Sequence, residues 1–380
     1  MTTGLAMFSM FFGAGNVVFP LALGVYAQDK NLFAILGMLI SAVGVPFTGL
    51  IAMTLFNGDY KKFFERIGIV PGFIVAAAIM GLIGPFGAIP RCITLSYSTI
   101  KLYLPDMFLS LPMFSVVSCL IIFAFTIKRN SIIDVLGYVL TPLLLGSLSI
   151  IIVKGLFFSP AAPHVDYSQP EVFLLGLFEG YQTMDLLGAF FFSSVVLTCL
   201  EKGGASEGEH RNYKRLIFQA LKASCIGAFL LSLTYVGFSY IAAFNSESLA
   251  NVAKDELAGK IALLVLGPHA GLIAGIAVAL ACLTTAIALA SVFAEFIHKD
   301  ITLGRVNYGT SLVITLAISF FVSTLNFTGI AQILAPILQI CYPALIVLSM
   351  VNIMFKLYHF MPVKVPVYTM FIISVIFFIW

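Results

Sequence analysis

Apolar positions in this chain form runs too long for a water-facing fold. The runs over 32–55, 132–153, 270–292 and 330–351 each exceed the roughly 20 residues that cross a bilayer core of about 30 Å. Backbone groups in lipid must be paired within their own segment, so these runs are predicted to be helices. The period-2 alternation of a membrane barrel is absent. Reading by apolar length gives eleven segments, at 3–27, 32–56, 70–100, 112–128, 133–156, 172–200, 215–244, 266–296, 307–326, 328–354 and 363–380.

Composition agrees with the pattern. Of 380 residues, 61% are apolar and 10% charged, against about 25% charged in a soluble domain. No polar stretch is long enough to form a soluble domain. With loops placed alternately on two sides, fourteen of the twenty basic residues fall on one side and six on the other. The richer side is expected to be cytoplasmic, which puts the N-terminus inside. The six cysteines stand singly and the five histidines are scattered, so neither a disulfide framework nor a metal site is suggested. The chain starts almost within its first helix and has no basic leader of a signal peptide, so cleavage is not expected. A carrier usually has a short charged leader, so truncation there, and at the apolar end Trp380, stays open.

Two segments are interrupted where an unbroken helix would be cheapest. The first carries Phe11-Phe12-Gly13-Ala14-Gly15-Asn16, then Pro20; the sixth carries Glu179-Gly180-Tyr181-Gln182-Thr183-Met184-Asp185. Each glycine weakens a helix by about 1 kcal/mol relative to alanine, and Pro20 cannot donate to the Asn16 carbonyl. Glu179 and Asp185 would each cost about 2.5 to 3.5 kcal/mol facing lipid. Such backbone is tolerated where it lines a cavity or packs on protein. Segments one and six are five apart, and an odd-numbered repeat inserts its second copy upside down. The expected architecture is therefore an all-α polytopic membrane protein with a five-plus-five inverted repeat and broken helices one and six. Its parts are 1–156, 172–354 and an additional segment in 355–380. Close packing of small residues is the plainer reading of Gly13 and Gly15.

These residues, with Gly84-Pro85-Phe86-Gly87-Ala88-Ile89-Pro90-Arg91, resemble the branched-chain amino acid:cation symporter family, within the amino acid–polyamine–cation transporters. The resemblance implies a five-plus-five core, usually described with twelve spans, and symport with Na+ or H+. The chain departs from the family at Cys92-Ile93, where a Thr-Ala pair is usual. For a zwitterionic substrate, the amides of Gly13, Ala14, Gly15 and Asn16 are candidates for the carboxylate. The Phe12 carbonyl, Tyr181, Glu179 and Asp185 are candidates for the ammonium. Gly180, Gln182 and Thr183 complete the unwound stretch, and the third, sixth and eighth segments offer an apolar pocket. By resemblance, Thr284 and Thr285 with Ala281 would hold Na+ together with carbonyls near Ser9 and Phe12. Against this, threonine in a membrane helix often bonds its own backbone carbonyl. Glu179 or Asp185 is the alternative as a proton acceptor, and Asp185 or Thr183 is equally suited to capping a half-helix.

Arg91 is expected to snorkel outward or to pair with an acid as an outer gate. Lys254-Asp255-Glu256 and the polar loop 201–215 read as solvated connections. The sequence implies no cofactor beyond the coupling ion. Its expected partners are a branched-chain amino acid and the lipid bilayer, with no nucleic acid; oligomeric state is not legible. The expected activity is import of Leu, Ile or Val by alternating access across a plasma (bacterial inner) membrane. Another small neutral amino acid is the near alternative. A membrane-embedded enzyme is disfavoured because no HExxH or His/Asp cluster occurs. A channel is disfavoured because its filter is a repeated pore loop or a ring of charge.

Overall fold

The computed structural model describes residues 4, 7–8, 11–103, 110–127, 146–157, 162–202, 213–359 and 361–379; in 194–202 and 213–220 only the helix path is described. Among these residues there are helices and turns but no strand.

The first segment is split. It is helical at Phe11, leaves the helix at Phe12 and Gly13, and resumes as α1 (Ala14–Ala27). A tight reversal at Gln28, with φ +47°, starts the return leg. That leg is α2 (Asn31–Leu39), a π turn (Ile40–Gly44) and α3 (Val45–Leu55). A short helix α4 (Tyr60–Phe64) follows, started by the Asp59 carboxylate, which accepts from the Lys62 amide at 3.1 Å.

The third segment keeps the length of one span, Ile69–Lys101, but is interrupted midway, which the sequence reading did not expect. It consists of α5 (Ile69–Ile83) and α6 (Ala88–Lys101), separated by Gly84-Pro85-Phe86-Gly87. Pro85 has no amide to donate, and a Cβ at Gly87 would run into the Leu82 carbonyl. The fourth segment is α7 (Leu111–Ile127) and the fifth is α8 (Gly146–Phe157). The first part of the predicted fifth span lies outside the described residues.

The sixth segment is broken into α9 (Gln169–Tyr181) and α10 (Asp185–Lys202). Ser168 and Glu171 start α9 cleanly, the Glu171 carboxylate accepting from the Ser168 amide at 3.1 Å. Then come α11 (Tyr213–Phe244), the small α12 (Ser246–Leu249), α13 (Leu257–Leu266) and α14 (Pro268–Phe296), which ends in a π turn (Ile297–Ile301). The chain closes with α15 (Tyr308–Ser323), α16 (Asn326–Tyr358) and α17 (Lys364–Ile379).

Packing sorts these helices into two groups. α1 lies on α11, α2 on α9 and α3 on α10, which joins segments one, two, six and seven. α14 lies on α6, α7 and α15, which joins segments three, four, eight and nine. α16 touches both groups through α3 and α6. Lipid tails are as apolar as leucine, so close backbone approach must hold such helices together. The α2–α9 crossing shows it: Gly37 and Ser41 face Gly176 and Gly180, each pair four apart. A Cβ at Gly176 would sit on the Ala34 carbonyl, and one at Gly37 on the Phe173 carbonyl.

Candidate functional site

The site begins with backbone that cannot stay helical. The Phe12 amide closes on the Phe8 carbonyl at 2.9 Å, and Gly13 is then extended. The Gly13 amide donates to Asn16 Oδ1 at 3.1 Å, so Asn16 caps its own half-helix. Across from it, Gln182 and Thr183 form a turn and Met184 takes φ +61°. That left-handed conformation is uncommon for a residue with a Cβ and costs on the order of 1–3 kcal/mol. The N-terminal turns of α1 and α10 both face the gap, each with amides lacking intrahelical partners. The two broken backbones meet at Gly15, where a Cβ would stand 3.1 Å from Thr183 Cα and 3.3 Å from its carbonyl oxygen.

A polar cluster closes the gap on one side. Asn16 Nδ2 donates to Asp185 Oδ1 at 3.0 Å and Oδ2 at 2.8 Å. The Tyr235 hydroxyl of α11 donates to Asp185 Oδ2 at 2.8 Å and also touches Asn16 Nδ2. All three side chains are buried, Asp185 being 4% exposed. Among the described residues no basic side chain lies within 4 Å of Asp185. An isolated carboxylate at this depth is costly, and its support here is the neutral donors Asn16, Tyr235 and Thr183 and the N-terminus of α10. Sequence reading missed Tyr235; its signal was a hydroxyl-bearing ring inside an apolar segment.

Beside this cluster lies a cavity of about 50 Å³, room for a few waters at roughly 10–15 Å³ each. Gly13, Ala14, Gly15, Asn16, Thr183, Asp185, Arg91 and Thr285 line it, all of them expected site residues. Phe11, Ile83, Ala88, Cys92, Met184, Gly188, Phe192 and Leu289 supply the rest of the wall. Segments one, three, six and eight thus converge on one space. The remaining expected residues lie off the lining. Phe12 stacks on Phe8 at 5.1 Å, Gly180 packs on Ser41, and Tyr181 packs at a tilt on Tyr342 at 4.6 Å. Ser9 lies outside the described residues. The Thr284 and Thr285 hydroxyls both donate to the Ala281 carbonyl, at 2.9 and 3.0 Å. Three hard oxygens therefore gather within one turn of α14, a donor type that suits Na+ or a hydrogen-bonded helix equally. Among the described residues there is no cluster of three His, Cys, Asp or Glu suited to a metal.

Two further expectations are corrected. Arg91 does not snorkel: it is 1% exposed, and among the described residues no carboxylate forms an ion pair with it within 4 Å. Its Nη1 donates to the Gln182 carbonyl at 2.8 Å and Nη2 to Gln182 Oε1 at 2.9 Å. The break in segment six leaves that carbonyl without a helical donor, and a bidentate guanidinium satisfies it better than water would. Arg91 also faces the rings of Phe19 and Phe327, at 5.3 and 5.8 Å. Nor is Lys254-Asp255 a free solvated loop. Lys254 Nζ lies 2.7 Å from Glu179 Oε1 and above Phe19, while buried Asp255 accepts from Ser98 of α6. Glu179 is therefore held over the site, outside the lining. The layers above the cavity run from Arg91 and Gln182 through Phe19 to the Lys254–Glu179 pair.

Comparison with known proteins matches this geometry. The permease BrnQ of Bacillus subtilis strain 168, a branched-chain amino acid permease, is 30% identical over 365 residues, covering 93% of this chain and 81% of the relative. The branched-chain amino acid permease BraB of the same strain is 31% identical over 368 residues, covering 93% and 80%. Among solved structures, the inward-facing conformation of Mhp1 superposes with a TM-score of 0.60 at 12% identity, covering 93% of this chain and 76% of that one. A substrate-bound, outward-open Na+-coupled sialic acid symporter gives 0.55 at 13% identity, covering 98% and 87%. At such identities the likeness is one of fold. The family described as branched-chain amino acid transport protein matches residues 1–379. The chain is thus an integral membrane transport protein and not an enzyme, and it belongs to the branched-chain amino acid transport protein family.

Proposed function

We propose that the chain imports leucine, isoleucine and valine by cation-coupled alternating access. The observation that carries this reading is the cavity between two facing helix breaks, with Asn16 and Asp185 on one wall and apolar side chains on the others. The N-terminal amides of α1 suit a substrate carboxylate, and Asp185 suits the ammonium. Ile83, Ala88, Phe192 and Leu289 suit a branched side chain. One methylene in such a pocket is worth only about 1–3 kcal/mol, so the three substrates should compete within a narrow range. A space of about 50 Å³ is smaller than leucine, so binding requires the walls to part. The names of the permease relatives support the substrate class.

The grouping of segments one, two, six and seven against three, four, eight and nine supports repeats over 1–156 and 172–354. Each group then holds matching members of both halves. In this reading the Lys254–Glu179 pair is the outer closure, and the groups rock about the cavity. The basic-residue asymmetry supports a cytoplasmic N-terminus in a plasma membrane.

For the coupling ion, Ala281, Thr284 and Thr285 with the Phe12 carbonyl are the Na+ candidates, and the Na+-coupled structural neighbour supports them. A proton is the second reading, favoured by the lone buried carboxylate of Asp185 between Asn16 and Tyr235. Labelled leucine uptake into proteoliposomes, under an imposed Na+ gradient, a proton gradient or neither, separates the two. Accumulation in neither case by folded protein, or accumulation not competed by isoleucine and valine, would refute the function proposed.

A further inference from the structure

A second cavity, of about 510 Å³, lies away from the transport site. It is formed where the turn between α4 and α5 meets the link between α16 and α17. Lys62, Arg66 and Lys364 line it together with one carboxylate, Glu65. Lys62 is shared with Asp59 at 3.1 Å. Among the described residues neither Arg66 nor Lys364 has an acidic partner within 4 Å, Glu65 included. Arg66 is also held in place, with its Cζ 3.5 Å over the Phe355 ring. Its Nε is buried without a hydrogen-bond partner.

The rim of this cavity is apolar and bare. Met361 and Val365 in its wall are 74% and 70% exposed. Exposed aliphatic side chains beside fixed cations at the end of membrane helices suit a ligand that is anionic at one end and oily at the other. A planar guanidinium with a preset orientation is well matched to phosphate oxygens, and basic pockets at helix ends recruit anionic headgroups. We propose that this cavity is a binding site for the phosphate headgroup of an anionic membrane lipid, whose chains lie along Met361 and Val365.

The test uses the full chain purified in neutral detergent. Phosphatidylglycerol, phosphatidylcholine and inorganic phosphate are titrated separately. Retained lipid is counted by native mass spectrometry and stabilisation is read by thermal shift. Phosphatidylglycerol should bind best, and its half-saturating concentration should rise roughly fivefold in Arg66→Gln and again in Lys364→Gln. Lys299→Gln, which removes a cation paired with Glu295, should leave it unchanged. Lys364 is exposed, so its variant reads the site even if loss of the Arg66 stacking disturbs folding. Equal binding of phosphatidylcholine, equal stabilisation by inorganic phosphate, or unchanged affinity in Lys364→Gln would overturn the proposal. None of these outcomes depends on what the protein transports.

Discussion

The Lys254–Glu179 pair gives the closure over the site a size that can be measured. The contact is 2.7 Å, with Glu179 15% and Lys254 43% exposed. Exposed pairs contribute about 0.2–1 kcal/mol, and charge-assisted hydrogen bonds about 1.5–3 kcal/mol. Lysine in partial contact with water calls for the lower range, so about 1 kcal/mol is expected. That is roughly a fivefold change in the ratio of closed to open outer path. Glu179→Gln keeps the shape and the acceptor and removes the charge. The chain carries its own reporter: Cys92 lines the cavity and is 3% exposed. With the other five cysteines replaced, a membrane-impermeant thiosulfonate added to intact cells reaches Cys92 only when the outer layers part. Labelling should be about fivefold faster in Glu179→Gln and in Lys254→Gln. The exchanged pair Glu179→Lys with Lys254→Glu should restore the slow rate, and high salt should narrow the difference. Unchanged labelling in both single variants, in protein that still takes up leucine, would refute the gate. Acceleration seen only in inverted vesicles would refute the orientation.

Three further outcomes follow from the site. Asp185→Asn should abolish gradient-driven accumulation; if the coupling ion is a proton, leucine exchange at equal concentrations should survive, and a normal proton-driven uptake would remove Asp185 from coupling. Gly15→Ala should impair folding or transport because its Cβ would press on the Thr183 backbone at 3.1 Å, whereas at Gly13 a Cβ meets Thr285 Cγ2 at 3.6 Å and Asn16 Oδ1 at 3.8 Å, both ordinary contacts; equal thermal stability of the two variants would contradict this packing. Thr284→Ala with Thr285→Ala should raise the Na+ concentration for half-maximal uptake, and unchanged Na+ dependence in folded protein would leave those hydroxyls as ordinary partners of the Ala281 carbonyl.

The broken first and sixth segments were legible because their cause is local. Glycine, proline and acidic residues in an apolar run have no cheap place in a lipid-facing helix, and the interruptions fall at Phe12–Gly13 and Gln182–Met184. The third break was written just as locally, in Gly84-Pro85-Phe86-Gly87, yet its apolar flanks made that span read as uninterrupted. Side-chain partners were a different matter. Arg91 looked like a surface cation because its hydrogen-bond acceptor is a carbonyl 91 positions away, exposed only by the other break. Tyr235 joins Asn16 across 219 positions, and no spacing rule announces such a contact. Lys254-Asp255 read as solvated because charged loops ordinarily are, whereas its partners lie on α9 and α6.

The partners of these residues also show what motion must undo. Gln182 belongs to the group of segments one, two, six and seven, and Arg91 to the group of three, four, eight and nine. Their two charge-assisted bonds cross from one group to the other. The strap near Lys254 also crosses, reaching Glu179 in the first group and Ser98 in the second. By contrast, Asn16, Asp185 and Tyr235 all belong to the first group. If the two groups rock apart as proposed, the carboxylate cluster stays whole and the Gln182 carbonyl loses its guanidinium. Leaving Arg91 unpaired in a dry interior would cost several kcal/mol, so opening requires water, or a substrate carboxylate, to reach Arg91 as Gln182 withdraws. On the proposed mechanism, an arginine that releases the unwound backbone only when something anionic or wet replaces it would tie opening of the path to filling of the cavity.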